Sequence, residues 1–110
     1  MRHLPPSLQE AVLRLEQDLK CLYGERFRGL LLYGSYARGD AREGSDVDLL
    51  LLLDGLVSPV REILYMEPVV WPLSLEYDTV LSVMPVDAES YQKAESRFLR
   101  NVRKEVVPAA

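Results

Sequence analysis

The sequence predicts a small domain of the α/β (α+β) class, in which helices flank a short mixed sheet. The chain has 110 residues, 48% of them hydrophobic, which suffices for one modest core. Two short and almost wholly apolar runs have the length of buried strands, and helical patterns stand before, between and after the candidate strands. We therefore expect a single domain over residues 1–110, with the order helix, strand, turn, strand, helix, strand, helix.

The first predicted element is an amphipathic helix that begins at Ser7. Ser7 and Glu10 have the spacing of a capping box. An apolar stripe of helical periodicity follows, made of Leu8, Val12, Leu15, Leu19 and Leu22. Gly24 suits a helix end in the left-handed conformation. Cys21 is expected to be buried or half-buried on this helix.

Two apolar runs, residues 27–33 and 47–53, are predicted strands. Neither run alternates between polar and apolar residues, which favours strands that are covered on both faces. Gly34 ends the first strand, and residues 35–38 can form one helical turn. The segment 39–45 is polar and bounded by glycine, so it is a predicted loop.

The next helix is predicted to begin with Ser58 as N-cap and Pro59 in the first turn. Pro68 and Pro72 are expected to kink or interrupt it, because proline lacks the N–H of a helical hydrogen bond. Two aromatic residues of this segment, Tyr65 and Trp71, are expected in the core, with a partner surface as the alternative.

The last third of the chain predicts a strand over residues 79–86, followed by a final helical stretch. Asp87 is the expected N-cap of that stretch, which runs to Glu105 with a break near Arg97. Residues 108–110 are expected to fray.

Charge and composition exclude several classes of function. The net charge is −4, so no broad basic face for gripping duplex nucleic acid is expected. The single cysteine, Cys21, excludes a disulfide framework and a cysteine zinc site, and it favours a reducing, cytoplasmic location. The longest apolar run is too short for a membrane span, so no membrane partner is expected.

Asp46 and Asp48 stand at the start of the more apolar strand. Residues two apart on a strand point to the same side, so the two carboxylates share one face. Such a pair repels itself and is costly to desolvate near a core. A divalent cation relieves both penalties, and hard oxygen ligands suit Mg²⁺ or Mn²⁺.

The turn after the first strand complements this pair. Backbone N–H groups at Gly34 and Ser35, with the Ser35 hydroxyl, can hold an anionic phosphate, and Arg38 one turn further on can add positive charge. A phosphate cradle that faces a metal platform suits a metal-bound nucleoside triphosphate. A P-loop is excluded, because Asp40 and Ala41 stand where Lys and Ser or Thr are required. Neither an EF-hand spacing nor a G-x-S-x-G elbow is present.

The string over residues 34–53, GSYARGDAREGSDVDLLLLL, resembles the signature of the minimal nucleotidyltransferases, a branch of the DNA polymerase β-like nucleotidyltransferase superfamily. The resemblance implies a palm-like nucleotidyltransferase fold. It also implies that Gly34 and Ser35 contact the triphosphate and that Asp46 and Asp48 bind the metal ions. The implied reaction is displacement at the α-phosphorus of a nucleotide, with pyrophosphate leaving.

A third carboxylate is less clearly marked. Members of the superfamily generally carry one on a neighbouring strand, where it helps to activate the acceptor. Asp78 and Glu76, near the start of the third predicted strand, are the candidate catalytic residues, and Asp78 is also a candidate metal ligand. In the middle of that strand the same parity gives Val80, Ser82 and Met84. The third ligand is therefore either at the strand's edge or missing.

The minimal nucleotidyltransferases resemble the antitoxins of two-gene toxin–antitoxin systems, in which the partner toxin is a ribonuclease with a HEPN domain. The resemblance implies Mg²⁺-dependent or Mn²⁺-dependent transfer of AMP from ATP to a tyrosine of that HEPN-type toxin. Two alternatives remain open. One is an inactive nucleotidyltransferase fold that neutralises a partner by contact alone, and the other is transfer onto a small molecule.

Overall fold

The computed structural model describes residues 3–109, which form a four-stranded sheet with helices packed on it. In chain order the elements are α1 (Pro6–Tyr23), β1 (Phe27–Tyr33), α2 (Gly34–Arg38), β2 (Val47–Leu53), α3 (Pro59–Glu76), β3 (Leu81–Asp87), α4 (Ala88–Lys93), α5 (Arg97–Val102) and β4 (Val107–Pro108). A short 3-10 helix, Gly24–Arg26, connects α1 to β1. The predicted α/β class with a small mixed sheet is confirmed, whereas a single domain over residues 1–110 stays a prediction.

The sheet has the strand order β3-β2-β1-β4 and contains both pairing directions. β1 pairs antiparallel with β2 and with β4, and β3 runs parallel to β2. The parallel pair is connected by α3, as a parallel crossover requires, and the antiparallel pair is connected by α2 and the loop that follows it. β3 and β4 are consequently the two edges of the sheet.

β2 runs through the centre of the core, since residues 49–53 are all buried. Its odd-numbered leucines join a large apolar cluster with α1 and α3, and its even-numbered leucines join a smaller cluster that includes Val102 of α5. Asp48 has the parity of the even-numbered leucines, so its side chain lies on the face covered by α4, α5 and the C-terminal segment.

The predicted bounds of β1 and β2 are confirmed, but the predicted start of α1 was wrong. α1 begins at Pro6 with Pro5 as N-cap, and no side chain caps it. Proline at the first helical position is already set to helical φ and has no N–H to satisfy, so a capping box from Ser7 is not needed. Gly24 ends the helix with a φ of +58°.

α3 is continuous over 18 residues, so the predicted interruption at Pro68 and Pro72 was wrong. Both prolines lie on the exposed side of the helix, where water can hydrate the carbonyls that lose their N–H partners. The buried contacts of Met66 and Leu73 hold the opposite side to the sheet. Ser58 caps the helix as predicted, by accepting the Arg61 N–H. Among residues 3–109, no helix is both long and apolar enough to cross a bilayer.

Three residues expected in or near the core are exposed instead. Tyr65 and Trp71 are 54% and 57% exposed, because the apolar stripe of α3 that meets the sheet is set by Met66 and Leu73. Cys21 is also exposed, since it falls outside the buried stripe of α1.

The third strand begins two residues later than predicted and ends at Asp87. Asp87 caps the helical stretch as predicted, by accepting the Ser90 N–H. That stretch is divided into α4 and α5 because Ala94 adopts a left-handed φ of +49°, and α5 begins at Arg97. α5 ends at Val102, so the helix does not extend to Glu105.

The C-terminal segment is docked on the sheet, so the expected fraying was wrong for residues 108 and 109; residue 110 lies outside the described residues. Val107 pairs with Leu32 of β1, and the Ala109 N–H donates to the Leu30 carbonyl at 3.2 Å. The outer edge of β1 supplies these backbone partners, which short sequence patterns do not reveal.

Candidate active site

Asp46 and Asp48 lie where β2 begins. Val47 between them is fully buried and its N–H donates to the Val80 carbonyl at 2.9 Å, which fixes the start of β2 beside the approach to β3. The alternation of a strand then directs both aspartates to the side opposite Val47. Asp46 is exposed and Asp48 is half-buried.

The charges around Asp46 and Asp48 favour the binding of a cation. Burial raises the pKa of the Asp48 carboxyl above its usual range, and the negative charge of Asp46 raises it further. The Arg38 guanidinium lowers that pKa, and a further carboxylate, Glu105, raises it again. The pKa of Asp48 therefore responds to the charges of two other carboxylates and of one arginine.

Gly34 lies directly against Asp48. It adopts a φ of +77°, and a Cβ built on it would overlap the Asp48 carboxylate, with the carboxyl carbon at 3.0 Å. Glycine is therefore required at this position both for its backbone conformation and for its lack of a side chain. The turn after β1 and the start of β2 consequently form one closely packed unit.

α2 brings Ser35 and Arg38 to the same end of the sheet. The Ser35 carbonyl accepts the N–H groups of Gly39 and Asp40 and so closes the helical turn. Within the described residues, the Ser35 hydroxyl takes part in no hydrogen bond. The Arg38 guanidinium forms ion pairs with Asp40 at 3.4 Å and with Glu105 at 3.2 Å.

Glu105 is the residue at this site that sequence reasoning missed. One of its carboxylate oxygens accepts the Gly34 N–H at 2.6 Å and also contacts Arg38. The contact joins residues 71 positions apart and depends on the docking of β4 against β1. No local motif marks Glu105, so only the pairing of the chain end could have revealed it.

The structure does not bring Glu76 to the aspartate pair. Glu76 is exposed at the end of α3 and forms an ion pair with Arg14 of α1 at 2.5 Å. α1 and α3 cover the face of the sheet opposite Asp48.

Asp78 lies in the exposed turn before β3, with a φ of +49°. It lines an open cleft of about 1160 Å³ between the loop over residues 41–45, α3 and β3, together with Ser45 and Ser82. In the parallel register the residue beside Asp48 on β3 is Ser82. The position at which a neighbouring strand would present a third carboxylate is therefore occupied by a serine.

The residues present fit a divalent cation only with help from a ligand. Within residues 3–109, no three acidic, histidine or cysteine side chains are grouped so that they could hold a metal ion. Asp46 and Asp48 alone supply hard oxygen donors whose mutual repulsion a cation would relieve. Mg²⁺ is often bound through one or two carboxylates plus the phosphates of a substrate, which matches this donor set.

Known proteins are similar to this chain in sequence and in fold. A family model described as "Nucleotidyltransferase domain" matches residues 13–106. A Methanocaldococcus jannaschii protein named "Putative protein adenylyltransferase MJ0604" is 32% identical over 98 residues, covering 88% of this chain and 92% of the relative.

Two solved structures resemble this chain in fold. One, described as "Crystal structure of the toxin-antitoxin with AMP-PNP", has a TM-score of 0.61 at 16% identity, over 93% of this chain and 72% of the other. Another, described as "Structure of putative minimal nucleotidyltransferase", has a TM-score of 0.50 at 28% identity, over 93% of this chain and 89% of the other. With the family model spanning most of its length, the chain belongs to the nucleotidyltransferase domain family and is a nucleotidyltransferase.

Proposed function

We propose that the chain is a Mg²⁺-dependent protein adenylyltransferase, which transfers AMP from ATP to a side chain of a partner toxin of the HEPN type. The observation that carries the proposal is the direct contact between Gly34 and Asp48. This contact sets candidate phosphate-binding groups against a pair of carboxylates, as a metal-bound triphosphate requires.

The proposed roles follow from the chemistry of each group. Gly34, Ser35 and Arg38 bind phosphate oxygens through one backbone N–H, a free hydroxyl and a guanidinium. Asp46 and Asp48 hold Mg²⁺ or Mn²⁺. When bound, the cation neutralises phosphate charge and lowers the pKa of the attacking hydroxyl. The chain itself contributes positioning and charge rather than a covalent intermediate.

The proposed reaction forms one bond and breaks one. The acceptor hydroxyl oxygen bonds to the α-phosphorus of ATP, the bond from that phosphorus to the bridging oxygen breaks, and pyrophosphate leaves with the electron pair. The hydroxyl proton passes to a base or to water. Asp78 lines the open cleft, whose lining includes Ser45 and Ser82 but neither Asp46 nor Asp48, so an acceptor-side role for Asp78 is proposed only through these neighbours of the pair. The ion pair of Glu76 with Arg14 favours a structural role for Glu76.

Two comparisons support a partner protein as the acceptor of AMP. The archaeal relative is named as a protein adenylyltransferase, and the structural neighbour is a toxin–antitoxin crystallised with AMP-PNP. The proposed location of this reaction is the cytoplasm, where ATP is abundant and an exposed thiol such as that of Cys21 is kept reduced.

The direct test uses α-labelled ATP, Mg²⁺ and the protein encoded beside this chain. Label is expected to appear on that protein and to be lost in Asp46→Asn and Asp48→Asn. Asp54→Asn is the matched control, because Asp54 lies just after the opposite end of β2 and pairs with Arg28 instead. Label transfer that persists in both site variants would contradict the proposal.

A second candidate function is favoured by the serine at position 82. Without a carboxylate in register with Asp48, the fold could neutralise its partner by contact alone. Inhibition of the partner that is unaffected by Asp46→Asn and Asp48→Asn, with no label on the partner, would support this function over the first.

A further inference from the structure

Glu105 occupies the place that the proposed function assigns to a phosphate. The Gly34 N–H donates to its carboxylate at 2.6 Å and the Arg38 guanidinium lies 3.2 Å from the same oxygen. Gly34 is buried and has one N–H, which can serve a single close acceptor at a time. A carboxylate oxygen and a phosphate oxygen are the same type of anionic acceptor.

We propose that Glu105 is a built-in competitor of the nucleotide, which closes the phosphate cradle of Gly34 and Arg38 until a triphosphate displaces it. This inference rests on the proposed function, because it concerns the same nucleotide site. It assigns a role to the C-terminal segment, which the reaction itself does not use.

The backbone on both sides of Glu105 is anchored, so the contact is built into the fold. The Glu105 N–H donates to the Val102 carbonyl at 2.9 Å, and the Ala109 N–H bonds to β1. Val106 packs against the small apolar cluster. Only the side chain of Glu105 has to rotate away for a phosphate to enter, and three-quarters of that side chain is covered.

The Glu105 carboxylate and the triphosphate exclude each other, so only molecules in which Glu105 is undocked can bind the nucleotide. The apparent affinity for the triphosphate is therefore the intrinsic affinity multiplied by the undocked fraction. The coupling is reciprocal, so bound triphosphate must also release Glu105.

The experiment measures MgATP binding by calorimetry for the full chain and two variants. Glu105→Gln keeps the size of the side chain and removes its charge, and the dissociation constant is expected to fall roughly 10-fold. Asp40→Asn also removes one carboxylate charge beside Arg38, because Asp40 contacts Arg38 at 3.4 Å. Asp40 does not contact Gly34, so this variant is the matched control. It is expected to change the constant by less than about 3-fold, as a surface ion pair does.

A second measurement is independent of affinity. In amide NMR spectra without nucleotide, Glu105→Gln is expected to shift the Gly34 resonance strongly and Asp40→Asn to leave it nearly unchanged. MgATP is expected to shift Gly34 in the wild-type chain. The Ala109 resonance reports whether β4 stays docked, which separates loss of the contact from loss of the fold.

The outcomes separate this inference from the proposed function. Unchanged or weaker binding by Glu105→Gln, or an equal gain in Asp40→Asn, would overturn the competitor role, whereas transfer activity would remain possible. Tighter binding by Glu105→Gln without any AMP transfer to the partner would support the competitor role and overturn the proposed activity.

Discussion

The backbone of Gly34 lies so close to the carboxylate of Asp48 that no side chain fits between them. A residue on the turn after β1 and a residue on β2 thus define one site, although they are distant enough in sequence to belong to separate elements. The position of the phosphate-binding groups relative to the aspartate pair is set by this contact. Substitutions that separate the two residues should therefore affect folding and nucleotide binding together.

Gly34→Ala should be more damaging than a glycine substitution without the contact. Gly39 also has a positive φ, of +86°, but nothing lies within 4 Å of a Cβ built there. Gly39→Ala is expected to cost about 1 kcal/mol for backbone strain alone. Gly34→Ala adds the collision with Asp48 and is expected to cost roughly 1–3 kcal/mol more. Urea denaturation and MgATP binding of both variants check this, and equal costs would show that the contact is not restrictive.

Asp48→Asn is expected to stabilise the metal-free protein at neutral pH while it abolishes AMP transfer. The substitution removes a half-buried charge that lies beside Asp46 and Glu105. Solvent screens the group, so the gain should be less than about 1 kcal/mol. Asp54→Asn at the other end of β2 should change the free energy of unfolding by less than about 0.5 kcal/mol. If thermal unfolding shows that Asp48→Asn is clearly less stable than the wild type, the charge of Asp48 does not destabilise the metal-free protein.

Ser82→Asp is expected to strengthen metal binding. Ser82 is exposed on β3 and pairs with Asp48, so an aspartate there would place a third carboxylate beside the pair. Mn²⁺ affinity, followed by electron paramagnetic resonance, should rise several-fold. Met84→Asp is the control, because Met84 is exposed on the same strand but pairs with Leu50. No difference between these two variants would mean that the site cannot use a ligand from β3.

Asp87→Ala should show a pH-dependent loss of stability. The Asp87 carboxylate accepts the N–H of Ser90 at 3.1 Å and that of Leu56 at 3.2 Å, and the Ser90 bond is the main reason that its pKa is below the usual value of 3.8. The stabilisation is therefore complete above the unfolded pKa and is lost as the pH falls through the folded pKa. At pH 7 the cost should be about 1–2 kcal/mol.

Urea denaturation between pH 7 and pH 3 checks this, and the difference between wild type and Asp87→Ala should shrink at the acid end. Asp18→Ala serves as the control, since Asp18 is exposed on α1. A difference that grows toward acid pH would contradict the assigned direction of the pKa shift.

The parts of the fold that could be predicted are those encoded by local patterns. The bounds of β1 and β2 follow from two almost wholly apolar runs, and the approach of Gly34 to the aspartates follows from a fixed spacing. The continuity of α3 through Pro68 and Pro72 could not be predicted, because it depends on which side of the helix meets the sheet. The exposure of Trp71 has the same cause.

Non-local pairing accounts for what was missed at the site. Glu105 meets Gly34 only because β4 adds to the edge of β1, and a two-residue strand has no recognisable pattern. The prediction of Glu76 and Asp78 as third carboxylates rests on their place near the start of the predicted third strand and on their shared strand parity. The chain is helical at Glu76 and turns at Asp78, so strand parity does not extend to either residue.

Both outer strands of the sheet contain a proline, Pro85 in β3 and Pro108 in β4. Proline has no N–H to offer an approaching strand, and an edge that contains it is a poor template for further pairing. β4 is also only two residues long, which leaves little of that edge available. The sheet is therefore protected at both ends against self-association into aggregates, a hazard for any small protein whose central strand is a run of leucines.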